Sequence, residues 1–162
     1  MSAQPQPGAA CRPMTLHDLD AVVAIETRAY EFPWTRGNFI DSLAAGYLAE
    51  RLEGPTGETI GYFVAMPGVD ELHLLNITVA PALQGRGHGG LLLGEVVQRA
   101  RALHLGAIWL EVRASNERAH RLYRRHGYVE IGLRRGYYPA AGRREDAVVM
   151  KLALAAADGA GA

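Results

Sequence analysis

The sequence contains very little cysteine and no long apolar run. Its 162 residues include a single cysteine, Cys11, which excludes an internal disulfide and is typical of proteins from a reducing cytoplasm. No apolar stretch approaches the roughly 18 residues of a membrane-spanning helix. The first ten residues lack the basic and apolar segments of a signal peptide. We therefore expect a cytoplasmic protein without a membrane partner.

An excess of charge of either sign is also missing. Seventeen basic side chains balance seventeen acidic ones, so the net charge gives no reason to expect nucleic acid as a direct partner. The histidines have no metal-ligand spacing with cysteine or acidic residues, and we expect no metal site. A local group of arginines predicts a solvated helix face, with contact to a phosphate group as the alternative: Arg118, Arg121, Arg124 and Arg125.

Hydrophobic periodicity predicts a single α/β domain over residues 11–154, with loose tails at 1–10 and 155–162. Apolar residues at helical spacing predict four helices, at 15–30, 35–45, 89–104 and 115–126. Strand patterns appear at 11–14, 47–52, 59–66, 71–79, 107–112, 128–137 and 147–154. Ser115 or Asn116 is the expected cap of the last helix, and Gly127 its end.

A glycine-rich turn follows the strand that ends at Val79. Glycine permits positive φ and a close approach of the backbone to a ligand. The helix behind the turn offers unpaired N–H groups and the positive end of its dipole. The stretch Asn76–Gly90 therefore predicts a phosphate-binding site.

Two interpretations of this turn compete. Gly85, Gly87 and Gly90 fit the G-x-G-x-x-G pattern of dinucleotide sites, with Glu111 placed to hold a ribose. Against it, residues 80–84 separate the glycines from the strand, and residues 112–162 are too few to complete such a sheet. In the second interpretation, Gln84 to Gly89 fit Gln/Arg-x-x-Gly-x-Gly/Ala, a pyrophosphate loop.

This second pattern resembles the GCN5-related N-acetyltransferases (GNAT). Further segments resemble the RimI branch of that family, which acetylates the N-terminal alanine of a ribosomal protein, small-subunit protein eighteen. These segments are Phe32–Trp34, Asn76–Val79, Leu110–Asn116, Gly127–Tyr128, Tyr137–Pro139 and Arg144–Ala147. The resemblance implies a mixed central sheet of about seven strands, flanked by about four helices and splayed between the fourth and fifth strands. It also implies acetyl-CoA as co-substrate and a ribosomal protein as partner.

The resemblance assigns the residues that hold acetyl-CoA. Backbone groups of the strand are expected to pair with the pantetheine arm, the turn is expected to bind the pyrophosphate, and an asparagine and a tyrosine are expected to touch the cofactor from the last helix. The residues concerned are Ile77, Thr78, Val79, Gln84, Gly85, Arg86, Gly87, His88, Gly89, Gly90, Asn116 and Tyr123.

Two residues carry the expected chemistry. Glu111 shares a strand face with Trp109, and an apolar surrounding would raise the pKa of its carboxyl toward the range of a useful base. The resemblance places the general base there; the alternative is a strand-end acid satisfied by Arg113 or by a backbone amide. The resemblance implies that Tyr123 is the general acid. Its helical spacing alone is typical of a core residue.

Substrate recognition is predicted for two aromatic segments beside prolines. Phe32, Trp34 and Tyr138 are candidates for contact with an extended N-terminus, although Phe32 and Trp34 are equally compatible with closing the core. The resemblance adds Asn76 and Glu111 to this set. Glu145 and Asp146 are candidates for steering a basic target or for charge pairing within a hairpin. Roles for Arg143 and Arg144 stay open.

The resulting hypothesis is direct transfer of an acetyl group to the N-terminal alanine of a ribosomal protein. The first alternative keeps the fold and changes the acceptor to other protein N-termini, internal lysines or small amines. The second is a regulatory protein that binds acetyl-CoA without catalysis, against which Glu111 and Tyr123 argue.

Overall fold

The computed structural model of the protein describes residues 8–155. The predicted tails fall almost entirely on residues outside this range. Within it the chain forms seven strands: β1 Ala10–Pro13, β2 Leu48–Glu53, β3 Thr59–Pro67, β4 Glu71–Val79, β5 Ala107–Arg113, β6 Val129–Ala140 and β7 Arg143–Ala153. It also forms four α-helices, α1 Leu19–Ala29, α2 Arg36–Ala44, α3 His88–Ala102 and α4 Glu117–Arg125, and 3-10 turns at Leu16–Asp18 and Pro81–Leu83.

The strands form one mixed sheet in the order β1-β2-β3-β4-β5-β7-β6. The pairs β1–β2, β2–β3, β5–β7 and β6–β7 are antiparallel. Strands β4 and β5 run parallel and pair from Glu71–Ala107 to His73–Trp109. Their ladder ends there, although both strands continue. The predicted fold class, including the splay between the fourth and fifth strands, is confirmed.

Local sequence chemistry sets the helix ends. Thr35 caps α2 by accepting the Asn38 N–H, and Asn116 caps α4 by accepting the Ala119 N–H. The third helix ends at Ala102, two residues before the prediction, because His104 adopts a left-handed φ of 57°. The β6–β7 hairpin is longer than predicted, and its turn contains Gly142 with φ of 75°.

Two compact units divide the described residues: the first comprises 8–66 and 75–96, the second 67–74 and 97–155. The first unit has a core of Leu19, Val22, Phe39, Tyr62 and Val64, with Trp34 packed against it. Burying such side chains is worth about 1.5–3 kcal/mol each.

The second unit is built on a continuous antiparallel ladder between β5 and β7. This ladder runs from Ala107–Ala153 to Arg113–Ala147. Helix α4 contributes the buried Tyr123, whose ring lies 5.8 Å from that of Tyr128. Among the helices of residues 8–155, none is long and apolar enough to cross a membrane.

Candidate active site

The glycine-rich turn in the first unit has the backbone that the sequence predicts. Gly85 and Gly87 adopt φ of 80° and 84°, values that side-chain-bearing residues rarely take. The Gln84 amide fixes the start of the turn by donating to the Val79 carbonyl at 3.0 Å. Helix α3 begins immediately after, at His88.

The N-terminus of α3 is suited to an anion. Its first turn contains no acidic residue, so nothing offsets the positive end of the helix dipole. Residues 85–87 are exposed, whereas His88 is buried and its Nδ1 lies 3.2 Å from the Leu83 carbonyl oxygen. The backbone around Arg86 is thus the accessible part, and the His88 side chain has a structural place.

Alternate side chains in the second half of β4 are buried within the first unit. Asn76 and Thr78 are buried, and the Thr78 hydroxyl donates to the Asn76 amide oxygen at 2.8 Å. The Thr78 hydroxyl also lies 2.7 Å from that of Tyr30, which donates to the Ile77 carbonyl at 3.2 Å. Side chains at 76 and 78 are therefore committed to internal hydrogen bonds, and a ligand would meet the backbone of this strand.

A buried carboxylate that sequence reasoning missed, Glu26, organises these contacts. Glu26 lies on α1 and is 2% exposed. Its Oε1 accepts hydrogen bonds from Tyr62 Oη at 2.7 Å and from Asn76 Nδ2 at 3.0 Å, and its Oε2 accepts the Trp34 N–H at 2.9 Å. Burial and the negative charge of Glu26 raise the pKa of the Tyr62 phenol well above its usual range. We call Glu26, Tyr62, Asn76 and the Trp34 N–H the Glu26 network.

The two aromatic candidates before α2 differ in their surroundings. The Trp34 ring lies 5.1 Å from Phe39 and packs against the hydrophobic core. Phe32 is 40% exposed. The structure therefore favours the core role for Trp34 and leaves Phe32 as the more accessible side chain.

The second unit places Glu111 in a cluster of polar and aromatic side chains. Its carboxylate Oε1 lies 2.6 Å from His73 Nε2, and Oε2 lies 3.3 Å from Arg134 Nη1. The side chain of Glu111 is only 6% exposed. Tyr137 lies close enough to the carboxylate for each group to shift the pKa of the other. We call His73, Glu111, Arg134 and Tyr137 the Glu111 cluster.

The pKa expected for Glu111 is wrong in direction. Burial raises the pKa of the carboxyl, as predicted, but the hydrogen bond and charge of His73, the charge of Arg134 and the nearby Tyr137 hydroxyl together lower it below its usual value. The sequence shows the apolar neighbours of Glu111 along β5 and not the polar groups that other strands bring to it. Burial and, to a smaller extent, the negative charge of Glu111 raise the pKa of the Tyr137 phenol.

Strand register builds this cluster. His73 and Trp109 are Cα partners at the end of the parallel ladder, and their rings stack at 3.6 Å with an angle of 10°. Glu111 lies two residues beyond Trp109, on the same face of β5. A histidine inside the apolar run of β4 is the sequence feature that would have pointed to this site. Arg134 carries no comparable pattern.

The remaining chemical candidates of the second unit lie on α4. Tyr123 is buried, with 8% exposure, and Asn116 makes the helix-capping hydrogen bond described above. The structure thus gives both residues a place in the fold; their predicted roles toward acetyl-CoA stay predictions.

Polar contacts join the β6–β7 hairpin to Arg113 at the end of β5. Arg113 Nη1 lies 3.1 Å from Glu145 Oε1 and donates to the Pro139 carbonyl at 2.8 Å, and its guanidinium lies over the Tyr138 ring at 4.6 Å. Asp146 accepts the Gly136 N–H at 2.8 Å. Glu145 is therefore paired with Arg113 of β5, and Asp146 hydrogen-bonds to the backbone within the hairpin. A role for either residue in steering a basic target stays a prediction.

Two other groups bear on the sequence predictions. The α4 arginines are exposed, as predicted, and Arg124 pairs with Glu130 at 2.6 Å. Within residues 8–155, one group has ligand atoms close enough for a metal ion, namely Cys11, Glu50 and Glu95. It shares no residue with the sites above and gives no evidence of a role in them.

Comparison with known proteins places this architecture. Residues 19–128 match the model of a family described as the acetyltransferase (GNAT) family. The chain belongs to the GNAT family. It is accordingly an N-acetyltransferase, which confirms the enzyme class predicted from the sequence.

Individual relatives narrow the likeness to the RimI type. A ribosomal protein bS18-alanine N-acetyltransferase from Escherichia coli (strain K12) is 37% identical over 137 residues, which are 85% of this chain and 92% of the relative. The crystal structure of the E. coli ribosomal-protein-S18-alanine N-acetyltransferase has a TM-score of 0.84 at 35% identity, over 92% of this chain and 96% of that one.

A more distant structure shares the fold. The phosphinothricin acetyltransferase from Sinorhizobium meliloti, solved in complex with AcCoA, has a TM-score of 0.75 at 22% identity, over 90% of this chain and 88% of that one.

Proposed function

We propose that the protein transfers an acetyl group from acetyl-CoA to the N-terminal alanine of a ribosomal protein. The observation that carries this proposal is the similarity over 92% of the length of an E. coli relative named for that reaction. The RimI-type motifs that suggested it lie in both units. We infer a cytoplasmic setting from the single cysteine and from a ribosomal target.

The turn before α3 fits the pyrophosphate of acetyl-CoA. Two positive-φ glycines, an exposed backbone and a helix N-terminus free of acidic residues meet the needs of a bound diphosphate. Residues 84–90 would hold it mainly through backbone N–H groups. Ile77 and Val79 would hold the pantetheine arm through their main chain, and Asn116 and Tyr123 would approach it from α4.

Acetyl-CoA supplies the acetyl group as a thioester, and the chain's own residues handle the protons. Glu111 acts as general base toward the amine, through water, and Tyr123 protonates the departing sulfur. Transfer is direct, because Cys11 lies on β1, apart from the residues assigned to the reaction, and no acyl-enzyme is required.

The low pKa of Glu111 favours an α-amine over a lysine. A carboxylate whose pKa lies below its usual value is a weak base. An α-amino group, with a pKa of about 7.7–8.0, needs only modest help at neutral pH, whereas lysine, at about 10.4, needs much more. Phe32 and Tyr138 are the side chains we assign to the substrate N-terminus.

The experiment is acetylation of short peptides by the full chain, followed by mass spectrometry. We expect product with a peptide that begins with alanine and with longer versions of it, and little with the same peptide carrying a blocked N-terminus and an internal lysine. Product on the lysine alone, or on neither peptide, would contradict the proposal. Binding of acetyl-CoA without NAD binding, measured by thermal shift, tests the assigned cofactor separately.

A further inference from the structure

The short contact between His73 and Glu111 fixes where a proton lies. At 2.6 Å, two facing lone pairs would repel, so one proton must lie between His73 Nε2 and Glu111 Oε1. With Glu111 ionised, this proton belongs to the imidazole, and Nε2 donates. The other ring nitrogen, Nδ1, then decides whether His73 is neutral or positively charged.

The imidazole is held in this orientation. It stacks on the Trp109 indole at 3.6 Å, and its side chain is 11% exposed. The charged or titratable groups that β5 and β6 direct at the pair are Glu111 itself, Arg134 and Tyr137. The Glu71–Lys151 ion pair joins β4 to β7 beside the same ladder. The polar environment of His73 is thus dominated by one carboxylate.

We propose that His73 is a positioning residue that orients Glu111 and sets its readiness to accept a proton. This inference rests on the proposed function of Glu111 as base. A neutral His73 donates one hydrogen bond and leaves a carboxylate that can receive a proton from the substrate amine through water. A protonated His73 adds a full positive charge at 2.6 Å, which weakens the same carboxylate as a base.

This arrangement makes the reaction sensitive to pH in a specific way. Histidine is the side chain that ordinarily changes charge between pH 5 and 8. If the neutral form of His73 is the productive one, as proposed, turnover requires two deprotonated groups, the substrate amine and His73. Without the histidine it requires one. The logarithm of kcat/KM should therefore fall more steeply with decreasing pH in the wild type than in a variant without a titrating group at 73.

The test compares the wild type with His73→Gln on the Ala-start peptide, from about pH 5 to about pH 9. Glutamine retains an N–H donor for Glu111 and does not titrate. At the alkaline end we expect the ratio of kcat/KM, variant over wild type, to become independent of pH, whatever its absolute value. This ratio should rise by up to tenfold per pH unit at the acid end, because one ionisation is removed. His17→Gln, an exposed histidine, should follow the wild type throughout.

A constant ratio of His73→Gln to wild type across this range would overturn the inference. If His73→Gln does not fold, the ring proton of His73 can be followed by NMR in the wild type and in Glu111→Gln. We expect Glu111→Gln to lower the midpoint of the ring titration, because the carboxylate that favours the charged imidazole is removed; a midpoint that is the same in both proteins would contradict the inference. These NMR results stand even if the peptide is not a substrate, whereas failure of the wild type on every peptide contradicts the proposed function instead.

Discussion

Two glutamates with little side-chain exposure, Glu26 and Glu111, are held in opposite ways. The Glu26 carboxylate accepts hydrogen bonds from three neutral donors, a phenol, an amide and a backbone N–H. The Glu111 carboxylate meets a histidine and an arginine, and Arg134 is about half exposed. Neutral donors hold a carboxylate in place without adding a charge. A histidine beside a carboxylate adds a group whose charge depends on pH.

The difference separates a structural acid from a chemical one. The Glu26 network joins α1, β3, β4 and the segment before α2, so it stabilises the first unit. The Glu111 cluster is partly accessible through Arg134, and it pairs the carboxylate with a histidine and an arginine. We therefore expect substitutions at Glu26 to act on folding and substitutions at Glu111 to act on the rate.

The largest effect is expected for Glu111→Gln on acetyl transfer. Glutamine preserves the shape of the side chain and removes the base, and general base catalysis contributes about 10²–10⁴-fold. We expect kcat with the Ala-start peptide to fall by that factor at pH 7, with acetyl-CoA binding retained in a thermal-shift assay. An unchanged kcat would remove Glu111 as base and would erase the contrast with Glu26.

The next effect is a loss of stability in Glu26→Ala. The substitution leaves the Tyr62 hydroxyl, the Asn76 amide and the Trp34 N–H without their acceptor, and each buried unsatisfied donor costs about 1–3 kcal/mol. We expect the free energy of unfolding in urea to fall by about 3 kcal/mol or more.

The matched control for Glu26→Ala is Glu31→Ala, an exposed glutamate that follows α1. It should change the free energy of unfolding by less than about 0.5 kcal/mol. A loss of similar size in both variants would mean that the Glu26 network is not what stabilises this part of the first unit.

Acid titration of stability sharpens the comparison further. The folded-state pKa of Glu111 is lowered, so its ionised form stabilises the fold above its unfolded pKa of about 4.3, and this contribution disappears as pH falls through the folded pKa. The difference in unfolding free energy between the wild type and Glu111→Gln should therefore shrink from pH 7 toward pH 3. Equilibrium unfolding at several pH values measures it, and a difference that grows toward acid pH would contradict the lowered pKa.

The order of the elements followed from the sequence because each depends on local patterns. Apolar periodicity located the strands, and Thr35, Asn116 and Gly127 marked helix ends through short-range hydrogen bonds and backbone preference. The glycine turn was predictable for the same reason, since its φ values belong to the residues themselves.

The surroundings of Glu26 and Glu111 depend instead on register across strands far apart in sequence. Glu111 meets His73 because residues 73 and 109 pair in the parallel ladder, and it meets Arg134 from β6. Shifting either strand by one residue would turn its side chains to the other face. Glu111 could therefore be predicted as a candidate site residue from the sequence, whereas the sign of its pKa shift could not.

The smallest effect tests whether Asn116, a helix-capping residue, also contacts acetyl-CoA. Asn116→Ala removes the oxygen that accepts the Ala119 N–H and should cost about 1 kcal/mol of unfolding free energy. Asn116→Asp keeps a capping oxygen and removes the side-chain N–H that would reach acetyl-CoA, so it should retain stability and lose acetyl-CoA affinity. Titration calorimetry on both variants checks this, and an unchanged affinity in Asn116→Asp would leave Asn116 as a helix cap alone.

Because the aspartate also adds a negative charge near a negatively charged ligand, Asn116→Ser serves as the neutral control. Serine can cap the helix, and this variant should show the same loss of affinity if the amide N–H is the group that binds.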